Sequence, residues 1–525
     1  MSASVDRFDI SLEGERRVWP AALLALVTIA IAFLVTVRGA PLMPFGLVGG
    51  LALVATLVLY PTVGCLLFFA IAWVNAPVVV TRTVTSGTGN AWLLGAGASG
   101  LLLIPAFVQS FVLQKGFVLD RVFLWMLLFL GAILLSTLIM ARDYDIAFAW
   151  IGTYLAEGLL LYLLVVNAIR DEKHLRLVLW TLLLSCAVLS AMPVYQEVTK
   201  KYDQSFFGFG VRMSEESLEE HPDRNVEENA LRGGTGKTTL SKEDRAQGPV
   251  DDPNHFAQIL LVVLPMGLML AASSRNWTGR LTAILLTTVV LAGVLLTYSR
   301  GGFIALAVMV LMLVALGDIP KRWFILGAVL LTGGVIAIAP GYLERMQTIG
   351  SVSKMDQVGD QAVRGRATEM LAAMHVMMDY PVIGVGPGQY TPFYSVQYMD
   401  DPGIAYRGIE KERRAHTLYF ELGAETGVLG LAVFLAIAVL VLRRLLRVRK
   451  LYHDRPHVSR LATGLGLGII AYLGTSVFLS FAFMRYWWLL LALAGVLVRI
   501  APLTRDYGRQ DRQDRVRAYL REAAG

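Results

Sequence analysis

The chain has 525 residues, 56% hydrophobic and 17% charged, with a mean hydropathy of +0.59. Soluble chains carry roughly 25% charged residues and rarely repeat apolar runs of about 20, so a soluble globular protein is excluded. The runs are continuous and do not alternate, which also excludes a transmembrane barrel. Net charge +7 and a pI near 9.3 do not signal a nucleic-acid partner: the lysines and arginines gather in short loops on one expected side, as the positive-inside rule requires.

Met1 to Arg17 is polar and charged, so no cleavable signal is expected; residues 18–37 are long enough to remain as a span, with Arg16 and Arg17 holding the amino terminus in the cytoplasm. Further apolar segments lie near 43–60, 62–80, 91–113, 121–141, 148–167 and 175–194, completing an amino-terminal group of transmembrane helices over 1–194. Cys65 and Cys186 fall inside these segments and read as packing residues, too few for a cysteine metal site.

A polar insertion over 195–254 carries Glu215, Glu216, Glu219, Glu220 and Asp223 and is assigned to the translocated side. Central spans over 255–340 follow, at 255–273, 280–297, 302–317 and 323–340. Their connectors at Arg275 to Arg280 and Lys321-Arg322 are short and basic, hence cytoplasmic, and alternation puts the Ser299-Arg300-Gly301-Gly302 corner on the opposite face.

The second large insertion, 341–415, contains Val363, Ala367, Met370, Leu371, Met374 and Met377 at helical spacing, stopped by Pro381. That stripe predicts an amphipathic helix, either lying on the membrane and roofing the bundle or packed as an ordinary extramembrane helix. The last spans, over 416–500, are expected at 416–442, 461–482 and 486–500. A basic cytoplasmic loop from Arg443 to Arg460 separates the first two, and a charge-laced cytoplasmic tail covers 501–525. The expected fold is an all-α polytopic transmembrane bundle of about 12–14 spans with two large periplasmic loops.

Three arginine-bearing places share the expected outer face: Arg232, Arg300, and the pair Arg364 and Arg366. Guanidiniums at a membrane interface suit phosphate, because each offers planar bidentate donors whose charge survives partial burial. For each, two readings stand, a contact to an anionic lipid or lipid diphosphate, or a structural arginine satisfied by carbonyls or an acid. Gly233 to Thr239 resembles a phosphate-binding loop but has Leu231 where the pattern needs glycine, and its flanks are an acidic loop and Leu240-Ser241-Lys242-Glu243. It is rejected as a nucleotide site.

Asn254, in Asp252-Pro253-Asn254-His255, is placed as a helix cap and substrate contact, with His255 as a capping or packing residue. The most specific chemical candidate is Arg413-Arg414-Ala415-His416-Thr417-Leu418-Tyr419 followed by Glu421 and Glu425. There His416 is either placed to take a proton from an attacking hydroxyl or is an interfacial histidine that merely hydrogen-bonds the loop. Arg414, Tyr419 and Glu421 are substrate contacts beside it, and Glu421 and Glu425 either orient the arginines or are merely satisfied interior acids. Gly384-Val385-Gly386-Pro387-Gly388 reads as a tight structural turn. No metal or cofactor motif stands out.

Taken together, Asp252-Pro253-Asn254, Thr297-Tyr298-Ser299-Arg300-Gly301-Gly302, Gly384 to Gly388, and His416-Thr417-Leu418-Tyr419 with Glu421 and Gly427-Val428-Leu429-Gly430 resemble the O-antigen ligase and polymerase superfamily of bacterial envelope glycosyltransferases. The resemblance spans roughly residues 232–442. It implies a fold of the C-type glycosyltransferase kind in the inner membrane, with its active site facing the periplasm. It also implies metal-free inverting transfer from an undecaprenyl diphosphate-linked glycan to an acceptor: lipid A core in ligases of lipopolysaccharide biosynthesis, another lipid-linked repeat in polymerases of O-antigen or exopolysaccharide, or protein. By motif order His416 matches the family's activating histidine and Arg300 its diphosphate-gripping arginine, with Arg232 and Arg366 less directly matched. Polysaccharide-assembly proteins and membrane lipids are the expected partners, with no cofactor. A lipid or polysaccharide transporter remains the alternative of a different class.

Overall fold

The structure is a computed structural model that describes residues 56, 59–84, 101–112, 116–213, 245–316, 361–400, 412–480 and 482–502. The expected segments at 18–37, 323–340 and most of 43–60, the acidic loop with Arg232, and the tail lie outside the described residues. In chain order the elements are α1 (Pro61–Trp73), α2 (Ala76–Val84), α3 (Leu101–Val112), α4 (Arg121–Met140), α5 (Tyr144–Ala168) and α6 (Glu172–Thr199). A short ribbon of β1 (Val211–Met213) and β2 (Arg245–Gly248) follows. Then come α7 (Pro253–Ser273), α8 (Trp277–Leu296), α9 (Arg300–Leu316), α10 (Gln361–Asp379), α11 (Leu418–Leu451), α12 (Pro456–Thr475) and α13 (Arg485–Pro502).

Among the described residues eight helices are long and apolar enough to cross a membrane: α4 to α8 and α11 to α13. Three shorter apolar ones, α1, α3 and α9, accompany them. The protein is therefore a polytopic helical membrane bundle. Helix starts repeat one device: Asp120, Asp143, Asp171 and Asp252 each turn a carboxylate onto backbone N–H groups of the first turn, satisfying donors the helix leaves open and meeting its positive end.

α7 is apolar all round and buried along nearly its whole length, packed against α6, α8, α9 and α12, so it is the axis of the bundle. Beside it an aromatic core joins α4, α5, α11 and α13: Phe434 stacks on Trp487 at 5.3 Å, and Phe129 meets Tyr154 edge-on at 5.3 Å.

The structure revises four expectations. The span expected over 62–80 is broken into α1 and α2 at Asn75, which takes a left-handed conformation (φ 56°) that asparagine tolerates, and Pro77 then starts the next helix. The fold is not wholly helical, since β1 and β2 pair antiparallel, with Arg212 opposite Ala246 and Met213 opposite Arg245, and clamp the two roots of the acidic loop. The basic stretch Arg443 to Lys450 is not a loop: α11 runs on to Leu451 because Val441, Leu445 and Val448 keep one buried face, and its last-turn cations suit the helix carboxyl end. Finally, the buried face of α10 is Gly365, Thr368, Glu369, Ala372, Ala373 and Val376 rather than the methionine stripe, whose described members are only half-buried. Small residues there let α10 pack closely on α11.

The helices sort the connections to two ends. One end gathers residues 140–144, 199–213, 245–254, 297–300, 379–400, 412–417, 475–480 and 482–485. The other is tied by Arg449 donating to the Leu316 carbonyl (2.7 Å), Arg460 to that of Ala272 (2.6 Å) and Arg499 to that of Val166 (2.7 Å).

Candidate functional site

The first end holds two polar assemblies. The first is built on the start of α7. Asp252, not Asn254, is the cap: its Oδ1 accepts from the backbone N–H of Asn254 (2.6 Å) and His255 (2.8 Å), which frees the Asn254 amide to reach sideways. Asn254 Oδ1 accepts from Ser299 Oγ (2.8 Å) and from Arg245 Nη2 (2.9 Å), while Arg245 Nε donates to the Thr297 carbonyl (2.9 Å). The Asp-Pro-Asn and Ser-Arg motifs, far apart in sequence, are thereby interlocked.

Ser299 in turn caps α9, its Oγ accepting from the Gly302 N–H at 3.1 Å, after the chain has turned through left-handed Tyr298 (φ 50°). Arg300 is the first residue of α9, half-buried at this corner.

The second assembly lies around the start of α11. Arg413 Nη1 donates to Glu369 Oε1 on α10 at 2.9 Å, and the other oxygen of Glu369 lies 3.5 Å from His416 Nε2. Arg414 is gripped by Glu421 Oε1 (3.1 and 2.5 Å), donates to the Ser480 carbonyl, and its guanidinium lies 5.5 Å from the centre of the Trp150 ring. Glu421 Oε2 accepts from the Ala415 N–H (2.9 Å), so the acid folds back over the loop and fixes it. His416 itself is in a left-handed conformation (φ 48°), and its side chain is 24% exposed.

Of the two readings for Glu425, the satisfied interior acid holds: it accepts from the backbone N–H groups of Gly388 and Tyr390. The glycine-rich turn docks here. Val385 N–H donates to the Ala424 carbonyl (2.9 Å), Gly386 N–H to that of Glu425 (2.9 Å) and Val428 N–H to that of Pro381 (2.8 Å). These bonds straddle a break in α11 at Gly427 (φ 65°, ψ −173°), conformational ground open essentially only to glycine, where a Cβ would also collide with the Val382 carbonyl.

Tyr390, buried among Glu421, Glu369 and Glu425, has its phenol pushed well above the ordinary value by burial first and by those carboxylates second. It stays protonated and donates to the Glu369 carbonyl (3.3 Å).

Of the expected site residues, His416, Arg414 and Glu421 are brought together. Arg364 and Arg366 sit on α10 five and three residues before Glu369; at about 1.5 Å rise per residue Arg366 is roughly one turn from it along the helix. Tyr419 is turned into the bundle, its hydroxyl donating to the Leu473 carbonyl at 2.6 Å. Asn254 and Arg300 belong to the neighbouring α7 assembly, which approaches the second through the segment after α12: Gly301 packs on Phe478, two residues before the Ser480 carbonyl that Arg414 holds. His255 is a packing residue, 1% exposed and edge-on to Tyr486 at 5.6 Å.

Sequence reasoning missed Glu369 and a further ion pair. Arg485, at the start of α13, meets Glu157 Oε1 at 3.5 Å and donates to Asn75 Oδ1 at 2.5 Å, while the Asn75 amide donates to the Pro249 carbonyl at 3.0 Å. The signal was present: an arginine between Met484 and Tyr486-Trp487-Trp488, and a glutamate inside an apolar span, are ionisable residues at membrane depth. Among the described residues no group of three or more His, Cys, Asp and Glu side chains converges as a metal site.

Fold and site together define a polytopic helical membrane protein with a charged, histidine-bearing assembly at one end. Residues 281–435, under a third of the chain, match the Wzy_C family model, described as O-antigen ligase. That stretch contains Arg300, Arg364, Arg366, Glu369, His416 and Glu421. A search of curated proteins finds no match to the chain.

Proposed function

We propose that the chain transfers a glycan from an undecaprenyl diphosphate-linked donor to an acceptor hydroxyl at the periplasmic face of the inner membrane, as an O-antigen ligase-like enzyme. The observation that carries this reading is His416, partly exposed, beside a buried carboxylate and two arginines, inside the stretch matching the O-antigen ligase family. Among the described histidines other than His416, His255 is buried, His375 is half-buried on α10 six residues past Glu369, and His174, His453 and His457 lie at the opposite end of the bundle. The basic residues of that opposite end, among them Arg275, Arg280, Arg443, Arg447 and Arg455, support its being cytoplasmic, which turns His416 and Arg300 to the periplasm.

In this reading the acceptor hydroxyl gives its proton to His416 while its oxygen bonds the anomeric carbon. The bond from that carbon to the diphosphate oxygen breaks, its electron pair leaving on the diphosphate, whose charge Arg300 and Arg366 meet with no metal required. The test is reconstitution in liposomes with undecaprenyl diphosphate-linked glycan and candidate acceptors. His416→Ala is expected to fold and not to transfer, and Arg300→Ala to raise the donor KM. Transfer by His416→Ala at the wild-type rate would falsify the reading. Product mass separates a capped lipid A core, the ligase outcome, from a lengthened lipid-linked chain, the polymerase outcome.

A further inference from the structure

Glu369 is the most deeply buried acid around His416, its side chain 2% exposed on the face of α10 that packs against the bundle. A carboxylate in such a place is costly unless both oxygens are compensated. Oε1 is compensated by Arg413 at 2.9 Å. Oε2 has no hydrogen-bond partner among the described residues, and the group it faces, at 3.5 Å, is His416 Nε2. A glutamate serving only to pin Arg413 would need neither that second oxygen aimed at the ring nor a histidine held at φ 48°, a conformation non-glycine residues adopt at a cost.

We propose that Glu369 is the positioning residue for His416: it accepts the Nε2 proton, so that Nδ1 presents its lone pair to the acceptor hydroxyl, and its charge steadies the imidazolium formed when that proton arrives. This rests on the glycan-transfer reading of His416. The proton from the acceptor goes to Nδ1 and no further, while Arg413 holds the other oxygen of Glu369. A histidine's tautomer and ring direction are set by the bond its second nitrogen makes, and separations in a site without substrate commonly shorten when substrate binds. The charged and titratable groups around the pair are Arg413 from the loop before α11, Arg366 from α10 itself, Arg414 with Glu421 and Glu425 from the α11 side, and the Tyr390 hydroxyl on the Glu369 carbonyl.

The full-length protein in liposomes tests this with Glu369→Gln, which keeps shape and removes charge. The expected result is a kcat lower by about 10²–10⁴-fold, the range of general-base contributions, with donor and acceptor KM nearly unchanged. In a His416→Ala background the same change should cost nothing more, because residues acting as a unit are non-additive. Glu369→Asp should recover part of the loss.

A second measurement does not depend on the variant folding or on activity. In wild-type protein with ¹⁵N-labelled imidazoles, assigned by loss of one signal pair in His416→Ala, neutral His416 should carry its proton on Nε2. A wild-type kcat for Glu369→Gln, or a proton on Nδ1, overturns the proposal. Loss of the transfer reading itself is recognised separately, by an active His416→Ala.

Discussion

The two polar assemblies at one end of the bundle use arginine in different ways. Around the start of α7, Arg245, Asn254, Thr297 and Ser299 lock one stretch of backbone to another. Arg245 is 5% exposed and donates to neutral oxygens, a carbonyl and an amide. Around the start of α11, Arg413 and Arg414 each meet a carboxylate, and what those pairs fix is a stretch that carries a partly exposed imidazole. Buried donors satisfied by backbone make a joint, and their loss is felt as instability. Charge pairs around an exposed ring make an aiming device, and their loss is felt as lost chemistry in an intact fold.

The sharpest way to break this contrast is His416→Ala. Loss of a general base removes about 10²–10⁴-fold of rate, while a ring 24% exposed contributes little packing, so the thermal unfolding midpoint in detergent should stay at the wild-type value. A large fall in midpoint would make the α11 assembly another joint.

Next in size is Gly427→Ala, which forces a side chain onto a glycine-only conformation and against the Val382 carbonyl. A loss of about 1–3 kcal/mol from backbone strain alone, read as a lower midpoint, should come with loss of transfer, because the turn at 381–388 then no longer seats on α11.

Hydropathy made most of the spans legible, whereas the Asp caps that begin four of them showed only in the structure, where Asp252 takes the cap expected of Asn254. The Ser-Arg corner and the Asp-Pro-Asn motif were each visible as polar interruptions, yet nothing local announces that Ser299 donates to Asn254, a contact made only when α7, α8 and α9 pack. The break at Asn75 was hidden because α1 and α2 are both apolar; only a tertiary partner, Arg485, explains why an asparagine sits there.

Glu369 was unreadable for a related reason. The methionines of α10 are the larger apolar residues and drew the face assignment, whereas close approach to α11 selects the small residues, and the acid rides in with them. Arg232 and the acidic loop lie outside the described residues.

The joint itself is tested by two smaller changes. Arg245→Met removes, among others, the charge-assisted hydrogen bonds to the Thr297 carbonyl and the Asn254 amide and should cost about 2–4 kcal/mol, the upper part of that range offset by the apolar replacement. Chemical unfolding in detergent measures it, and kcat per folded molecule should stay close to wild type.

Ser299→Ala is milder and more telling. The hydroxyl donates to Asn254 and caps α9 through the Gly302 N–H, so about 1 kcal/mol should go. Asn254 keeps Arg245, and the α11 loop is untouched. The cap does, however, set where α9 begins, and Arg300 is its first residue. The expected result is therefore a small fall in midpoint, an unchanged kcat and a modest rise in donor KM, in the same direction as Arg300→Ala but smaller. If instead kcat fell as in His416→Ala with stability intact, the serine would belong to the chemistry, and the division between joint and aiming device would be wrong.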